Sequence, residues 1–282
     1  MEEMEAKRGE RIQVCYCGNE KVFPLVLLSA LSIAKYTAAP VSLYFVTADL
    51  TRIRPKFVAV DPSRAEILTR ALRTGNPESS AEILDVTELY EKLLGGSKNE
   101  TSKYTPYSFL RLLLPELDLH GKLIYLDSDI MCCSDLSELW NVDVSDYEFA
   151  AVRDHMGQFF FGRNYVNSGV LLLNLEEIRR TGLFARGRET VRKKKLYFPD
   201  QTVLNKYGER ILRLPRKFNE QRRASEGDTV VKHFCQGIVW FPFHVYNIKQ
   251  SEREKVRKKL KIDFFEDVYR QYDEIAAAYD FD

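Results

Sequence analysis

Asp127-Ser128-Asp129 follows directly on the apolar run Leu123-Ile124-Tyr125-Leu126. Two carboxylates at the end of a buried strand are costly without a counter-charge. A divalent cation supplies that charge, and hard oxygen ligands suit Mg²⁺ or Mn²⁺. The triplet alone also fits a solvated strand end or a helix cap. His233 closes a second apolar run, Val230-Val231-Lys232-His233-Phe234. Taken alone, a histidine there is more often a hydrogen-bonded core residue. Beside two carboxylates, its imidazole would move the preference from Mg²⁺ towards Mn²⁺. Asn167-Ser168-Gly169 precedes Val170-Leu171-Leu172-Leu173, so small polar groups stand where a hydroxylated ligand can approach a buried strand. The plain alternative is a turn. Phe198-Pro199-Asp200-Gln201 opens a helical pattern. There Asp200 either complements the helix dipole or, with the Gln201 amide, holds a sugar.

The elements that must position these groups read as an alternating series. Ile12 to Cys17 is a strand, Val22 to Ile33 a helix, and Val41 to Thr47 a second strand. A helix from Pro62 ends near Gly75, Ala81 to Val86 is a third strand, and Thr87 opens a short helix. Thr105 is expected to cap an apolar helix with Pro106 at its first position, stopping at Pro115. Lys122 to Leu126 is the fourth strand. The order predicts an α/β fold with a mainly parallel central sheet flanked by helices and ligands at the carboxyl ends of its strands. Asp127-Ser128-Asp129 falls at such an end. Further strands are expected at Glu148 to Val152, Ser168 to Leu173, Ile211 to Leu214 and Thr229 to Phe234. Glu176 to Lys194 carries a broken helical pattern, and Pro199 starts a helix running to about Tyr207. Ser251 to Tyr279 reads as a helical C-terminal tail of two charged amphipathic segments.

The bulk properties exclude several classes. The 282 residues are 45% hydrophobic and 29% charged, enough to bury a sizeable core. The net charge of +1 gives no global field for nucleic acid, and no nucleic-acid motif occurs. Basic residues crowd Arg179 to Lys195 and Lys249 to Lys261, as solvated helix faces or as a surface for an anionic acceptor or membrane. Five cysteines without a C-x-x-C pair point to a reducing compartment, and their spacing matches no zinc pattern. The first ten residues are charged, and no apolar stretch approaches the roughly 20 residues that span a bilayer. The expectation is a cytoplasmic protein, or one peripheral to a membrane. The basic, aromatic tail, with Phe264, Phe265 and Tyr269, is the segment expected to make such a membrane contact.

Six stretches occur in a fixed order: Tyr107-x-x-x-Arg111-Leu112; Leu123 to Asp129; Asp135-Leu136-x-x-Leu139-Trp140; Asn167 to Leu175; Pro199-Asp200-Gln201-x-x-Leu204-Asn205; and His233-Phe234. From about Ile12 to about Asn247, the chain resembles family eight of the retaining glycosyltransferases. The resemblance implies a GT-A type nucleotide-diphospho-sugar transferase fold over residues 11–247, with residues 248–282 as a helical extension packed on or beside it. It implies retaining transfer of a hexose, glucose or galactose, from a UDP-sugar to a glycan, lipid-linked or other acceptor. Asp127, Asp129 and His233 match the ligands of Mn²⁺, with Mg²⁺ as the alternative. Asn19, Arg111, Ser128, Asn167 and Ser168 match donor-binding positions, and Asp200 and Gln201 the groups at the reacting sugar. The family's diphosphate lysine has no counterpart at its usual spacing after the histidine, where residue 239 is Val, and Lys249 would supply it from later in the chain. Where the family often carries an aspartate after the first strand, this chain has Cys17-Gly18-Asn19-Glu20, and Gln250 stands where a proline is expected. A metal-dependent UDP-sugar hydrolase, or a non-catalytic UDP-sugar-binding protein on the same fold, is the competing expectation.

Overall fold

The computed structural model describes residues 10–102, 105–240 and 243–279, so most of the charged N-terminal segment lies outside the described residues. Its strands are β1 (Ile12–Cys17), β2 (Val41–Thr47), β3 (Ser80–Asp85), β4 (Lys122–Leu126), β5 (Ile130–Cys132), β6 (Phe149–Arg153), β7 (Val166–Asn174), β8 (Ile211–Leu214), β9 (Val231–His233), β10 (Gly237–Trp240) and β11 (Phe243–Tyr246). Seven of them form one sheet in the order β3-β2-β1-β4-β7-β6-β8. β1 pairs parallel with β2 and β4, and β2 with β3. β7 runs antiparallel to both β4 and β6, whereas β6 and β8 are parallel. The sheet is therefore mainly parallel, with one reversed strand, β7, beside β4, which leads into Asp127.

Side chains alternate across a strand, so each strand feeds two cores. Ile12, Val14 and Tyr16 of β1 enter one core with Ile124, Leu126, Val170 and Leu172. Cys15 and Cys17 enter the other with Leu123, Tyr125, Leu171 and Leu173. The first core lies under the helices Phe23–Tyr36 and Arg64–Arg73. The second is closed by the helices Thr87–Leu93, Leu175–Thr181, Leu183–Lys193 and Pro199–Tyr207. Near-continuous apolar strands covered on both faces are what a largely parallel sheet requires. Gly182 explains the broken pattern before residue 194: its φ of 66° ends one helix and begins the next.

Two expectations about local structure change. Pro106–Glu116 is a 3₁₀ stretch rather than an α-helix; Pro115 lies inside it, and Thr105 makes no side-chain cap bond. Phe109, Leu110, Leu112, Leu113 and Leu114 are all buried. Pro115 has no N–H to bond the Arg111 carbonyl and disfavours the α region at Leu114, which works against a regular α-helix here. The tail keeps two helical segments, but its aromatic residues are not where they were expected. It comprises Arg253–Lys255, a π-type turn at Val256–Leu260 and the helix Glu266–Tyr279. Phe265 and Tyr269, expected at a membrane, are instead in the first core with Val256, Ile262 and Val268. Lys35 Nζ bonds Asp267 Oδ1 at 2.9 Å, which fastens this helix to the helix Phe23–Tyr36. No helix among the described residues is long and apolar enough to cross a membrane.

Candidate functional site

The β4 ladder runs one residue past the strand, because Asp127 N donates to Gly169 O at 2.8 Å. β5 then pairs with β9 so that Ile130 faces His233, and Phe234 N donates to Asp129 O at 2.8 Å. These two ladders bring Asp127, Asp129 and His233 together from residues 104 apart in sequence (233 − 129). One ligand atom from each lies within 4.8 Å of the others. His233 Nε2 is 3.2 Å from Asp129 Oδ1. Its other ring nitrogen, Nδ1, stands 3.1 Å from Asn219 Oδ1, while Asn219 Nδ2 donates to Asn167 Oδ1 at 2.9 Å. With Asn219 Oδ1 accepting from Nδ1–H, Nε2 is the ring nitrogen on the Asp129 side and the one available to a cation. Gly169 makes room for the cluster. A Cβ there would lie 2.2 Å from His233 Cε1 and 2.9 Å from Asp127 Oδ2. Two carboxylates and an imidazole that converge in this way fit a divalent first-row cation.

Asp129 is tuned by its neighbours. Burial would raise its pKa, but His233 and Lys249 reverse that and hold it well below the usual carboxylate range. Lys249 Nζ is 2.6 Å from Asp129 Oδ2. The lysine is held there by the next residue. Gln250 Nε2 donates to Ser128 O at 2.6 Å, and Gln250 O accepts the Tyr269 hydroxyl at 2.7 Å. The tail helix thus fixes the loop that carries Lys249. Gln250, in place of the expected proline, supplies the amide that binds the Asp127-Ser128-Asp129 turn.

Arg111 lies beneath the site and is only 2% exposed. Its Nη2 is 2.8 Å from Asp127 Oδ1 and 3.2 Å from Asp200 Oδ2, and Nη1 donates to the Ser168 carbonyl. The guanidinium stacks over Tyr125 at 4.0 Å, and the Tyr125 hydroxyl donates to Asp127 Oδ1 at 2.9 Å. Burial opposes its charge, but the carboxylates of Asp200 and Asp127 outweigh this and raise its pKa. Ser168 Oγ donates to Asp200 Oδ2 at 2.9 Å, and Ser168 N to Gln201 Oε1 at 3.2 Å. Arg111, Asp127, Ser168, Asp200 and Gln201 therefore form one hydrogen-bonded group.

Asp154, just past the end of β6, was not singled out from the sequence. Its Oδ2 accepts from Asn167 Nδ2 at 2.9 Å and from Gln201 Nε2 at 3.1 Å. It joins the Asn167 and Gln201 amides, so their carbonyl oxygens face Gly169 N and Ser168 N. Asn219 and Tyr125 are the other two contributors that sequence reasoning missed. Asn19 sits apart at the end of β1; its Nδ2 donates to Lys56 O at 3.3 Å rather than to the carboxylate group. The cysteines separate: Cys15 and Cys17 lie in one core, Cys132 and Cys133 in the other. Burial pushes the Cys235 thiol up to about 12, so it stays protonated beside the cluster.

Known proteins resemble this chain in sequence and in fold. The model of "Glycosyl transferase family 8" matches residues 13–261. Glycosyltransferase GlyA of Streptococcus pneumoniae is 41% identical over 66 residues, which are 23% of this chain and 10% of that protein. The matches make up 17%, 10% and 37% of the first three curated relatives, so the chain corresponds to a minor part of each. Among solved structures, the galactosyltransferase LgtC in complex with donor and acceptor sugar analogs superposes with a TM-score of 0.60 at 16% identity, covering 95% of this chain and 96% of that one. The glycosyltransferase GlyE of Streptococcus pneumoniae gives 0.62 at 17% identity, over 93% of this chain and 64% of that one. At such identities the structural likeness establishes the GT-A fold.

Proposed function

The chain belongs to glycosyl transferase family 8, and from that premise we propose that it moves a hexose, glucose or galactose, from a UDP-sugar to a glycan or lipid-linked acceptor with retention of anomeric configuration. The observation that carries this reading is the convergence of Asp127, Asp129 and His233 at the carboxyl end of β4. These three would hold Mn²⁺, or Mg²⁺ in its place, which when bound neutralises charge growing on the leaving diphosphate. Lys249, 2.6 Å from Asp129, adds a second positive group for the diphosphate. Asn19 and Ser128 face the nucleoside side of the donor in this reading. Asn167, Ser168 and Asp200 bind hydroxyls of the donor sugar, with Arg111 fixing Asp200 from below. Gln201 lies at the reacting face. Its amide is a poor nucleophile, which favours a front-face displacement over the two-carboxylate route of retaining hydrolases. Residues 11–247 form the transferase domain, and 248–282 an extension that delivers Lys249 to it.

UDP and Mn²⁺ together are expected to raise the melting midpoint, each alone having a smaller effect. At a hundredfold excess over Kd the stabilisation is about 2.7 kcal/mol, or several degrees for a chain of this size. Thermal melts with UDP, Mn²⁺, both or neither check this, and an unmoved midpoint with both present sinks the proposed donor site. Lys249→Ala is expected to weaken UDP binding in Mn²⁺ by roughly tenfold, the worth of one charge-assisted hydrogen bond. Isothermal titration reads the change; unaltered UDP affinity removes Lys249 from the site.

A further inference from the structure

Phe159, Phe160 and Phe161 are 65%, 66% and 58% exposed, and Tyr197 is 68% exposed. Phe161 is linked to Tyr197 through Phe198, and Phe159 and Phe160 directly precede Phe161 in the chain. Phe161 meets Tyr165 at 4.8 Å between ring centroids and Phe198 at 6.4 Å, and Phe198 meets Tyr197 at 4.7 Å. A group of exposed aromatic side chains of this kind is uncommon on a monomer and marks an interaction face. The ridge is also anchored to the donor-sugar group. Asp154 Oδ1 accepts from Met156 N at 2.9 Å and Gly157 N at 2.5 Å, while its Oδ2 holds Asn167 and Gln201.

Beside the ridge lies a cleft of about 420 Å³ whose lining includes Arg153, His155, Gln158, Arg213 and Arg216. His155 is 6.3 Å from the Phe159 ring. Arg216 is paired with Glu220 at 2.6 Å, whereas Arg153 and Arg213 make no ion pair among the described residues. Burial lowers the pKa of His155, and Arg222 and Arg216 lower it further, against Asp154 and Glu220. Aromatic side chains beside unneutralised arginines are the composition of a surface that lies on anionic lipid. A twofold contact centred on the ridge would bring the arginines of two copies together, which disfavours a second copy as the occupant. The tail's aromatic residues are not available for this role, since Phe265 and Tyr269 are in the core.

We propose that the Phe159–Phe161 ridge and the Arg153–Arg213 cleft dock the protein on an anionic lipid surface and hold the donor-sugar pocket over an acceptor carried there. The docking needs neither donor nor cation, so it stands or fails separately from the proposed transferase activity.

The test is co-sedimentation with phosphatidylcholine vesicles, with and without phosphatidylglycerol, in the absence of nucleotide and metal. The full chain is expected to sediment with the anionic vesicles and not with phosphatidylcholine alone. Phe159→Ser/Phe160→Ser/Phe161→Ser is expected to bind roughly tenfold or more weakly. Arg153→Ser/Arg213→Ser is expected to weaken binding and flatten its salt dependence, and this variant decides the matter if the first does not fold. Lys258→Ser/Lys259→Ser, in the tail, is expected to bind like the parent chain. The proposal is overturned if the parent chain does not sediment with anionic vesicles, or if the ridge and cleft variants both bind like it. Loss of binding in the tail variant alone also overturns it. So does light scattering that shows a dimer which the phenylalanine variant turns into a monomer, because the ridge would then be an interface between copies.

Discussion

Arg111→Met is expected to lower the melting midpoint by roughly 10 °C, from a loss of about 3–5 kcal/mol. The side chain is 2% exposed and lies against two carboxylates, Asp127 at 2.8 Å and Asp200 at 3.2 Å. Methionine keeps much of the volume and removes the charge, so packing is largely conserved while both carboxylates lose their partner. The Ser168 carbonyl also loses a donor, and an unpaired buried acceptor carries its own penalty. Donor-dependent activity is expected to fall with stability, because Asp127 and Asp200 belong to the same group. Urea unfolding and a thermal melt measure the effect. A midpoint within a degree or two of the parent chain would mean that Asp127 and Asp200 do not depend on Arg111.

The second large effect is expected at Gly169→Ala. Its added methyl would stand 2.2 Å from His233 Cε1, 2.8 Å from His233 Nδ1 and 2.9 Å from Asp127 Oδ2. These distances are shorter than carbon–carbon or carbon–oxygen contact allows, so the imidazole, the carboxylate or the β7 backbone must shift. The ring has little freedom, because Nδ1 is held by Asn219 at 3.1 Å and the residue lies on β9. A displacement of about 1 Å at a reacting centre costs on the order of a hundredfold in rate. Activity is therefore expected to fall about a hundredfold, with a weakened response to Mn²⁺. Steady-state assays across a Mn²⁺ titration check this, and retention of parental Mn²⁺ dependence would show that the cation binds elsewhere.

The alternating first half of the fold was legible because its signals are local. β1 to β4 are apolar runs separated by helical periods, and Asp127 stands at the end of one of them. The strand-end signal at Asp127 is equally present at Asp154, which follows β6 directly. Asn219 had no comparable signal. It follows a short 3₁₀ turn, Arg216–Phe218, and reaches His233 and Asn167 only through the folded chain. β5 and β9 have three residues each, too few for any periodicity, so the register that sets Ile130 against His233 was invisible. Gln250 was seen as a departure from the family pattern. Its bond to Ser128 crosses 122 positions, and nothing local announces a contact of that range. The tail was read as helical and amphipathic, but a helix pattern does not say whether its apolar face meets lipid or core. Here it meets the helix Phe23–Tyr36.

The central claim is that Asp127, Asp129 and His233 serve a cation-assisted transfer from a UDP-sugar. The direct measurement is UDP release and sugar transfer over a panel of UDP-sugars, with Mn²⁺, Mg²⁺ or EDTA, for the parent chain and Asp129→Asn. The account predicts release with one donor that EDTA abolishes and Mn²⁺ restores. It predicts a loss on the order of a thousandfold in Asp129→Asn, comparable to removing a principal electrostatic stabiliser. UDP release that is equal in EDTA, or unaffected by Asp129→Asn, would contradict it, as would the absence of release with every UDP-sugar.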